Sequence, residues 1–536
     1  MSSLQTLQTC LPLQLLTVTL VIFILTATTE IIRHRFRQRR RRLPPGPPAI
    51  PIIGNLHQIG ELPHRSLWKL SRKYGPLLRV KLGFVPTVVV SSPEAARELL
   101  KTHDLHSCSR PALSIARRLS YDYADIGFSP YNDYWREVRK ICALELFSVK
   151  RVQSFRYIRE EEIESLVKTI SHHSDSGKPV NLSEKLMSLA VAMMFRAGFG
   201  MSSRKIEEDN KRFRGFVDEG NEILRKFSAE DLFPYVGWIV DRVTGLHRRR
   251  EKCFHDLDEF YEDTIRNHIQ NNNQEGREDI VDVMLKIERE QLAVGDKRFT
   301  RNHIKAILMD LLVAGIDAPA TVLTWGMTEL IRNPRVMKKA QTEIRNRIKN
   351  EGMVKEEDLE KLEYLRMVTK ETLRLHPSGA MLLPRESMSE FKICGYDIDP
   401  KTRIEVNVWA IGRDPSAWKD PEEFFPERFI KNEIDVKGQH FELLPFGGGR
   451  RSCPGINTGL SLVELGLANL LYCFDWKLPE GMTKDDVDIE EAAGISVQKK
   501  VPLQLVPVKT TIWSWGLVQT KVPRPEAKYV ISDMDL

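Results

Sequence analysis

One stretch near the C-terminal end of this 536-residue chain, residues 445–455, restricts the possible fold more than any other. Its sequence is Pro-Phe-Gly-Gly-Gly-Arg-Arg-Ser-Cys-Pro-Gly, and the three consecutive glycines let the backbone pass close to a bulky, flat object. Apolar residues at helical spacing follow from Ile456 to Leu471, so Cys453 lies just before a helix N-terminus. The partial positive charge there favours a thiolate, which suits an iron centre.

Two simpler interpretations of this loop compete. A glycine-rich run before a helix can bind phosphate, but this one lacks the Lys-Ser/Thr ending and follows no clear apolar strand. A single cysteine near a helix start is usually a small buried hydrophobic residue. The pattern Phe-x-x-Gly-x-Arg-x-Cys-x-Gly, however, resembles the haem-ligand signature of the cytochrome P450 family, and is filled by Phe446, Gly449, Arg451, Cys453 and Gly455. The resemblance implies that Cys453 is the thiolate ligand of haem iron and that the other four bind the cofactor.

The N-terminus has the pattern of a membrane anchor. Leu11 to Ile32 is mostly apolar, and about 20 such residues can span a bilayer. Seven arginines without an acid follow in residues 33–42, which by the positive-inside tendency keeps the rest of the chain cytosolic. A cleaved signal peptide is the alternative, but its charges would precede the apolar run. We expect residues 1–32 to be a single-pass anchor in the endoplasmic reticulum, as in microsomal members of the resembling family.

Charge and cysteine usage agree with a cytosolic body. The basic surplus is 80 minus 73, or seven, and the arginine block alone accounts for it, so no nucleic-acid partner is expected. Seven scattered cysteines suit a reducing compartment. Residues 33–50 form a basic, Pro-rich hinge. We expect one haem-thiolate catalytic domain at 51–506, because no interior linker divides it, and residues 507–536 form a tail without a physical account.

The resemblance implies a mainly α fold with a smaller β region, in which a long central helix crosses over haem and the cysteine loop lies beneath. The sequence places this helix at about Arg301 to Arg332, behind Thr300 as a cap. A β pair is predicted at Leu77 to Leu82 and Thr87 to Val90.

The middle of the predicted central helix carries two residues that disfavour helices. Gly315 and Pro319 would cost roughly 1 and 3 kcal/mol in an exposed helix. Because Pro319 has no N–H to give the Gly315 carbonyl, a kink and a free acceptor for water or substrate are predicted. The stretch resembles the P450 segment Ala/Gly-Gly-x-Asp/Glu-Thr, which handles dioxygen, and this implies catalytic roles for Gly315, Asp317 and position 318, beside a pocket-lining Ala314.

This sequence departs from that segment at Ala318, where the family has a threonine whose hydroxyl helps to deliver protons. Three interpretations stay open. A water held by Gly315 and Asp317 replaces the hydroxyl, the substrate supplies its own hydroxyl or amine, or the enzyme has left ordinary hydroxylation for another haem-thiolate reaction.

Further motifs resemble the haem supports of the family. Glu371 and Arg374, three apart on one helix, are joined by Arg428 into a predicted buried network that steadies the ligand loop. The pattern Trp-x-x-x-Arg resembles the family's and implies that Trp135 and Arg139 reach a haem propionate. By the same resemblance, Arg385 is a further residue that would contact a propionate. His376 could contact a propionate or cap a turn. The residues expected to line a hydrophobic pocket are Ser378, Gly379, Ala380, Met381, Gly494, Ile495 and Ser496.

By this resemblance, the chain is a monooxygenase of the plant microsomal group that acts on terpenoids, alkaloids and phenylpropanoids. NADPH-cytochrome P450 reductase would supply the electrons, since no nucleotide-binding motif is visible. Two other classes stay open: a haem-thiolate enzyme of cyclisation, C–C coupling, desaturation or rearrangement, suggested by Ala318, and a non-catalytic membrane haem protein. The substrate and the oligomeric state do not follow from the sequence.

Overall fold

A computed structural model describes residues 41–510, apart from 209–212, 214, 217–218, 221, 224–227, 272–276, 294–298 and 349–351. Three predicted segments lie outside the described residues: the anchor at 1–32, residues 33–40 of the hinge and residues 511–536 of the tail.

Helices dominate the described chain, which confirms the predicted mainly α class. The longer helices are Pro63–Tyr74, Asp133–Ile141, Arg156–Ser176, Leu182–Phe199, Leu246–Asn271, Ile280–Ala293, Arg301–Arg332, Pro334–Arg347, Glu363–Leu375 and Ile456–Cys473. The shorter helical segments are Leu56–Gln58, Pro93–Arg97, Glu98–Thr102, Asp104–Ser107, Ser114–Leu119, Cys142–Leu146, Val149–Ser154, Ser203–Glu208, Ala229–Leu232, Gly237–Val243, Glu356–Lys361, Val408–Ile411, Pro426–Phe429, Gly449–Arg451 and Lys484–Asp486.

Three small sheets lie beside the helices. Their strands are β1 Leu77–Leu82, β2 Val85–Val90, β3 Val180–Asn181, β4 Arg385–Glu386, β5 Phe391–Ile393, β6 Tyr396–Ile398, β7 Arg403–Val406, β8 Phe474–Lys477 and β9 Gln504–Lys509. The strand orders are β1-β2-β7-β4, β3-β9-β8 and β5-β6, and only the β2–β7 pair is parallel. Arg385 pairs with Ile404 across β4 and β7, so the first sheet fixes its backbone.

The central helix, Arg301–Arg332, forms the middle of the core. It is apolar on most sides and buried along most of its length, and it packs against helices Leu182–Phe199 and Ile456–Cys473. A Cβ on Gly466 would lie only 2.9 Å from the Leu323 side chain, so glycine permits this close helix contact. Because Ile456–Cys473 directly follows the cysteine loop, the same packing fixes that loop under the central helix.

Among the described residues, Arg301–Arg332 and Ile456–Cys473 are long and apolar enough to cross a membrane. Most of each is buried inside the body, which accounts for their composition as core helices.

Several predicted boundaries move. The second strand of the predicted β pair begins at Val85 and not at Thr87. Strand β7 ends at Val406, since the Asn407 side chain accepts from the Ala410 N–H at 3.0 Å and caps a short helix. Strand β9 crosses the predicted domain boundary at 506 and continues to Lys509. The end of the hinge is bonded to the body, because the Arg42 N–H donates to the Asp397 carboxylate at 2.8 Å.

Candidate active site

The cysteine loop, residues 445–455, folds back on itself before the helix begins. The Cys453 N–H donates to the Phe446 carbonyl at 2.9 Å, and Ile456 starts the predicted helix. Gly449 has φ of +68°, and a Cβ there would lie 2.6 Å from the Leu100 carbonyl oxygen. Glycine at 449 is therefore required by the turn, although Gly449 itself does not line the cavity described next.

Cys453 faces a cavity of about 400 Å³, within the usual range of ligand sites. Burial raises the pKa of the Cys453 thiol, and the Gly455 N–H and the Arg139 guanidinium act in the opposite direction. The sequence predicted a site that favours a thiolate. The structure supplies those two groups, which favour the thiolate, but burial has the larger effect on the pKa of Cys453. A cation bound to the sulfur would reverse this balance.

The cavity contains most of the residues that the sequence predicted for it, brought together from five separate segments. They are Arg139, Ala314, Gly315, Ala318, Ser378, Gly379, Met381, Arg385, Phe446, Arg451, Cys453, Gly455, Ile495 and Ser496. The remaining wall is mostly apolar, with Phe128, Leu146, Phe147, Phe155, Met193, Met194, Leu311, Val313, Pro319, Val322 and Leu382 among its members.

Ala380 and Asp317 do not line the cavity, contrary to the expectation for a pocket residue and a catalytic acid. Ala380 is buried in a separate cluster with Trp409 and Val497, while its neighbours Gly379 and Met381 line the cavity. Asp317 is buried on another side of the central helix, about 100° away from Ala318. Any effect of Asp317 on the cavity is therefore indirect.

A group of neighbouring guanidinium groups, here named the arginine cluster, lines the cavity. Its members are Arg110, Arg139, Arg385 and Arg451. Burial, with the charges of Arg451 and Arg385, lowers the pKa of Arg110 well below its usual value. Burial also lowers the pKa of Arg451 to about 10. These guanidinium groups lack enough nearby anions to balance them.

Backbone carbonyls supply most of the partners of the arginine cluster. Arg110 donates to Gly127 and Pro384 at 2.9 Å each, and Arg451 donates to Cys108 at 2.8 Å. Arg139 donates to the Ser452 carbonyl, just before the cysteine. Only Arg385 has a carboxylate hydrogen bond, from its Nη1 to Asp104 Oδ1 at 2.7 Å.

Trp135 has a role other than the one expected, whereas His376 takes one of its two expected roles, as the C-terminal cap of helix Glu363–Leu375. The indole N–H of Trp135 donates to the Ile126 carbonyl at 3.0 Å, and the centre of its ring lies 3.9 Å from the Arg451 guanidinium. Trp135 thus positions Arg451 from behind and does not line the cavity. His376 stacks on Trp325 and contacts Glu329 at 2.8 Å, so it too lies outside the cavity.

The predicted buried support network is present as Glu371, Arg374 and Arg428. Glu371 accepts from Arg374 Nε and Nη2 at 2.8 Å each and from Arg428 Nε at 2.9 Å. The Phe425 N–H adds a further bond at 2.8 Å, so the carboxylate is well satisfied. Arg374 also donates to the Gly412 carbonyl at 2.6 Å. These bonds tie helix Glu363–Leu375 to the segment before the cysteine loop.

Sequence reasoning missed two charged cavity residues, Arg110 and Asp310, besides much of the apolar wall. Arg110 stands in a loop without a recognised pattern, and nothing local shows that it would meet the other arginines. Asp310 had a usable signal, since it is the single acid between Ile304 and Ile316 in the apolar central helix. An unexplained acid in a core helix is a reason to expect a specific partner.

Comparisons with known proteins agree with this geometry. A family model described as Cytochrome P450 matches residues 44–506. The chain is 56% identical to cytochrome P450 71B34 of Arabidopsis thaliana over 489 residues, 91% of this chain and 98% of the relative. It is 55% identical to cytochrome P450 71B35 of the same plant over 487 residues, 91% of this chain and 97% of the relative.

Among solved structures, a zebrafish cytochrome P450 with abiraterone is similar to this chain. The TM-score is 0.69 at 22% identity, covering 84% of this chain and 100% of the zebrafish chain. This likeness shows the fold alone, and it confirms the predicted fold class.

Proposed function

Since the chain belongs to the cytochrome P450 family and is a P450 monooxygenase, we propose that it oxidises a hydrophobic plant specialised metabolite at a haem held by Cys453. The substrate would be a terpenoid, alkaloid or phenylpropanoid, the classes that the resemblance implies. One observation carries the proposal: Cys453 faces a largely apolar cavity that the arginine cluster also lines.

The residues around this cavity fit haem. The Cys453 sulfur is a suitable iron ligand, and the unbalanced arginine cluster suits the two carboxylates of the porphyrin. Gly447, Gly448, Gly455 and Gly459 keep one wall free of side chains, as a flat ring requires. When bound, haem supplies the iron at which dioxygen is reduced and one oxygen atom passes to the substrate.

The chain's own side chains bind and orient the substrate. Met193, Met194, Leu311 and Val322 provide apolar contacts, and methionine adapts to irregular shapes. A substrate of some bulk that carries few charges would bind here, because burying an unpaired charge in such a wall is costly.

Electrons would come from NADPH through NADPH-cytochrome P450 reductase. The apolar segment at 11–32 and the arginines after it support a single-pass anchor in the endoplasmic reticulum, with the catalytic body in the cytosol.

The haem assignment is tested by Cys453→Ser, with Cys394→Ser as control, since Cys394 lies outside the cavity. We expect the serine variant to lose the thiolate-type spectrum of the reduced carbon monoxide complex, while the control keeps it. An unchanged spectrum in Cys453→Ser, or folded protein that takes up no haem, would contradict the proposal. Screening plant metabolites for a spin-state change of the haem then identifies the substrate.

A second candidate function is supported by Ala318, which lines the cavity without a hydroxyl. The candidate is a haem-thiolate enzyme of oxidative cyclisation, C–C coupling, desaturation or rearrangement, and of these a redox-neutral rearrangement needs no proton delivery to dioxygen. The test compares hydrogen peroxide release and product formula in the parent and in Ala318→Thr. If coupling and product are unchanged, position 318 does not decide the reaction.

A further inference from the structure

Two neighbouring carboxyl groups, one in the cavity wall and one behind it, have no role in the haem site described above. Asp310 lies on the central helix and lines the cavity, and Asp125 is buried in the loop before helix Asp133–Ile141. A Cβ placed on Gly127 would lie 2.9 Å from Asp310 Oδ1 and 3.4 Å from Asp125 Oδ2. Since an oxygen of each carboxyl group lies close to this one position, the two groups are neighbours. A side chain at residue 127 would displace them, so glycine suits this position.

The pair holds the N–H groups of three consecutive residues. Oδ2 of Asp310 accepts from the Ile126 N–H at 2.8 Å and from the Gly127 N–H at 3.3 Å. Oδ2 of Asp125 accepts from the Phe128 N–H at 2.6 Å. The loop backbone is thus fixed to the central helix through carboxyl oxygens.

The carbonyl groups of the same loop hold two members of the arginine cluster. The Gly127 carbonyl accepts from Arg110 Nε at 2.9 Å, and the Ile126 and Ser129 carbonyls accept from Arg451 at 3.4 and 2.7 Å. Residues 126–129 therefore lie between carboxyl groups and guanidinium groups. The position of the arginines depends on where the carboxyl pair holds the backbone.

The geometry favours one proton in this pair. Oδ1 of Asp125 is buried and has no hydrogen-bond donor within the described chain unless Asp310 itself carries a proton. Two carboxylates this close together do not both ionise. Burial and the charge of Asp125 raise the pKa of Asp310 well above its ordinary value, and burial raises the pKa of Asp125 to about 6.

We propose that Asp125 and Asp310 share one proton and act as a positioning pair, which holds residues 126–128 so that Arg110 and Arg451 point at the haem carboxylates. This inference rests on the proposed haem site. The pair touches no reacting atom in this role, and its effect reaches the cofactor only through the loop.

Of the other ionisable groups near the pair and its arginines, Glu405 also titrates near neutral pH, because burial raises its pKa to about 7 while the charges of Arg403 and Arg110 oppose this. Burial raises the pKa values of Tyr134 and Tyr261, and raises that of Cys142 to about 12. Arg110 and Arg139, which face Asp125 and Asp310 respectively, stay charged. A carboxyl group with a raised pKa holds its proton at low pH and loses it as the pH rises, so the pair weakens on the alkaline side.

The test measures the rate at which ferric holoprotein loses haem to excess apomyoglobin, from about pH 6 to about pH 9. The variants are Asp310→Asn, which imitates a protonated carboxyl group, and Asp310→Ala, which removes the group. Glu464→Gln is the control, since burial also raises the pKa of Glu464, to about 7, outside the cavity. Circular dichroism of the apoproteins reports folding separately.

We expect haem loss from the parent to accelerate with pH, and haem loss from Asp310→Asn to stay near the parent's slow acidic rate throughout. At every pH, Asp310→Ala should lose haem about tenfold faster than the parent's slow acidic rate, which is the effect of about one hydrogen bond to a charged group. Glu464→Gln should follow the parent. The comparison of parent and Asp310→Asn stands even if Asp310→Ala does not fold.

Three outcomes overturn the proposal. They are an Asp310→Asn variant that fails to fold or loses haem as fast as Asp310→Ala, an Asp310→Ala variant that retains haem like the parent, and identical pH profiles for the parent and Asp310→Asn. A chain that binds no haem at all overturns the proposed function as well, whereas these three outcomes leave that function intact.

Discussion

The support network and the arginine cluster are both built from buried arginines, but their charge environments differ. In the support network, the Glu371 carboxylate lies between the two guanidinium groups and bonds to both. In the arginine cluster, most partners are neutral backbone carbonyls, and burial, together with neighbouring positive charges, lowers the pKa of Arg110. A buried charge is tolerated only when an opposite charge or strong hydrogen bonds compensate it. The first group therefore stabilises the apoprotein, and the second becomes favourable when an anion binds.

The largest effect is expected from Glu371→Gln. Removing the carboxylate leaves two buried guanidinium groups without an anion, which should lower the free energy of unfolding by about 3–5 kcal/mol. Chemical denaturation of the apoprotein measures this, with Glu464→Gln as a matched change of a buried carboxyl group. A loss no larger than that of the control would remove the distinction between the two regions.

Esterified haem tests whether the arginine cluster binds the carboxylates of the cofactor. Haem dimethyl ester keeps the iron and the ring but carries no carboxylate, so the cluster stays unbalanced after binding. We expect its affinity to be about a hundredfold lower than that of haem, or about 2.7 kcal/mol. Competition against apomyoglobin gives the ratio of affinities. Equal affinities would show that the cluster serves the fold and not the cofactor.

Arg385→Gln should separate cofactor binding from folding. Asp104 would keep bonds from the Arg450 N–H at 2.9 Å and Arg450 Nη1 at 3.1 Å, so its carboxylate stays compensated and the apoprotein should lose less than the roughly 3–5 kcal/mol of a broken buried pair. Haem should dissociate about tenfold faster, because one charged donor is gone. Denaturation and haem transfer measure the two effects. A large loss of apoprotein stability would place Arg385 with the support network.

The smallest effect concerns acid. Although burial acts against it, hydrogen bonds from Arg335 and Lys339 lower the pKa of Glu427, beside the support network, to about 2. Its stabilising contribution is present above its ordinary pKa of 4.5 and is lost as the pH falls from there to about 2. Glu427→Gln should therefore flatten the fall of Tm between these values by a few degrees, unlike exposed Glu363→Gln. Parallel curves for parent and variant would contradict this.

Local patterns predicted the elements well and the directions of side chains less well. Gly315 and Ala318 reach the cavity, but Asp317 between them does not, because adjacent residues of a helix point about 100° apart. Met381 lines the cavity and its neighbour Ala380 does not, because Ala380 packs against Trp409 and Val497. A motif names positions, whereas the rotation of each element about its axis is fixed by packing.

The arginine cluster and the carboxyl pair show the same limit over longer distances. Arg110 and Arg451 are 341 positions apart, and Asp125 and Asp310 are 185 apart. Asp310 has a local signal, as an acid in an apolar helix, but its partner does not, since a charged loop residue such as Asp125 or Arg110 has the same sequence signal whether it is solvated or buried.

The sequence by itself determined the cysteine loop, the long apolar helix with Gly315 and Pro319, and the three members of the support network. Each depends on spacing within a short segment, or on helical periodicity, and both act over a few residues. Only the tertiary structure decided that Arg110 joins the cavity, that Trp135 stands behind Arg451, and that two aspartates meet beside Gly127. Those outcomes follow from the packing of distant elements, in which burial and unbalanced charge arise from neighbours that no local pattern contains.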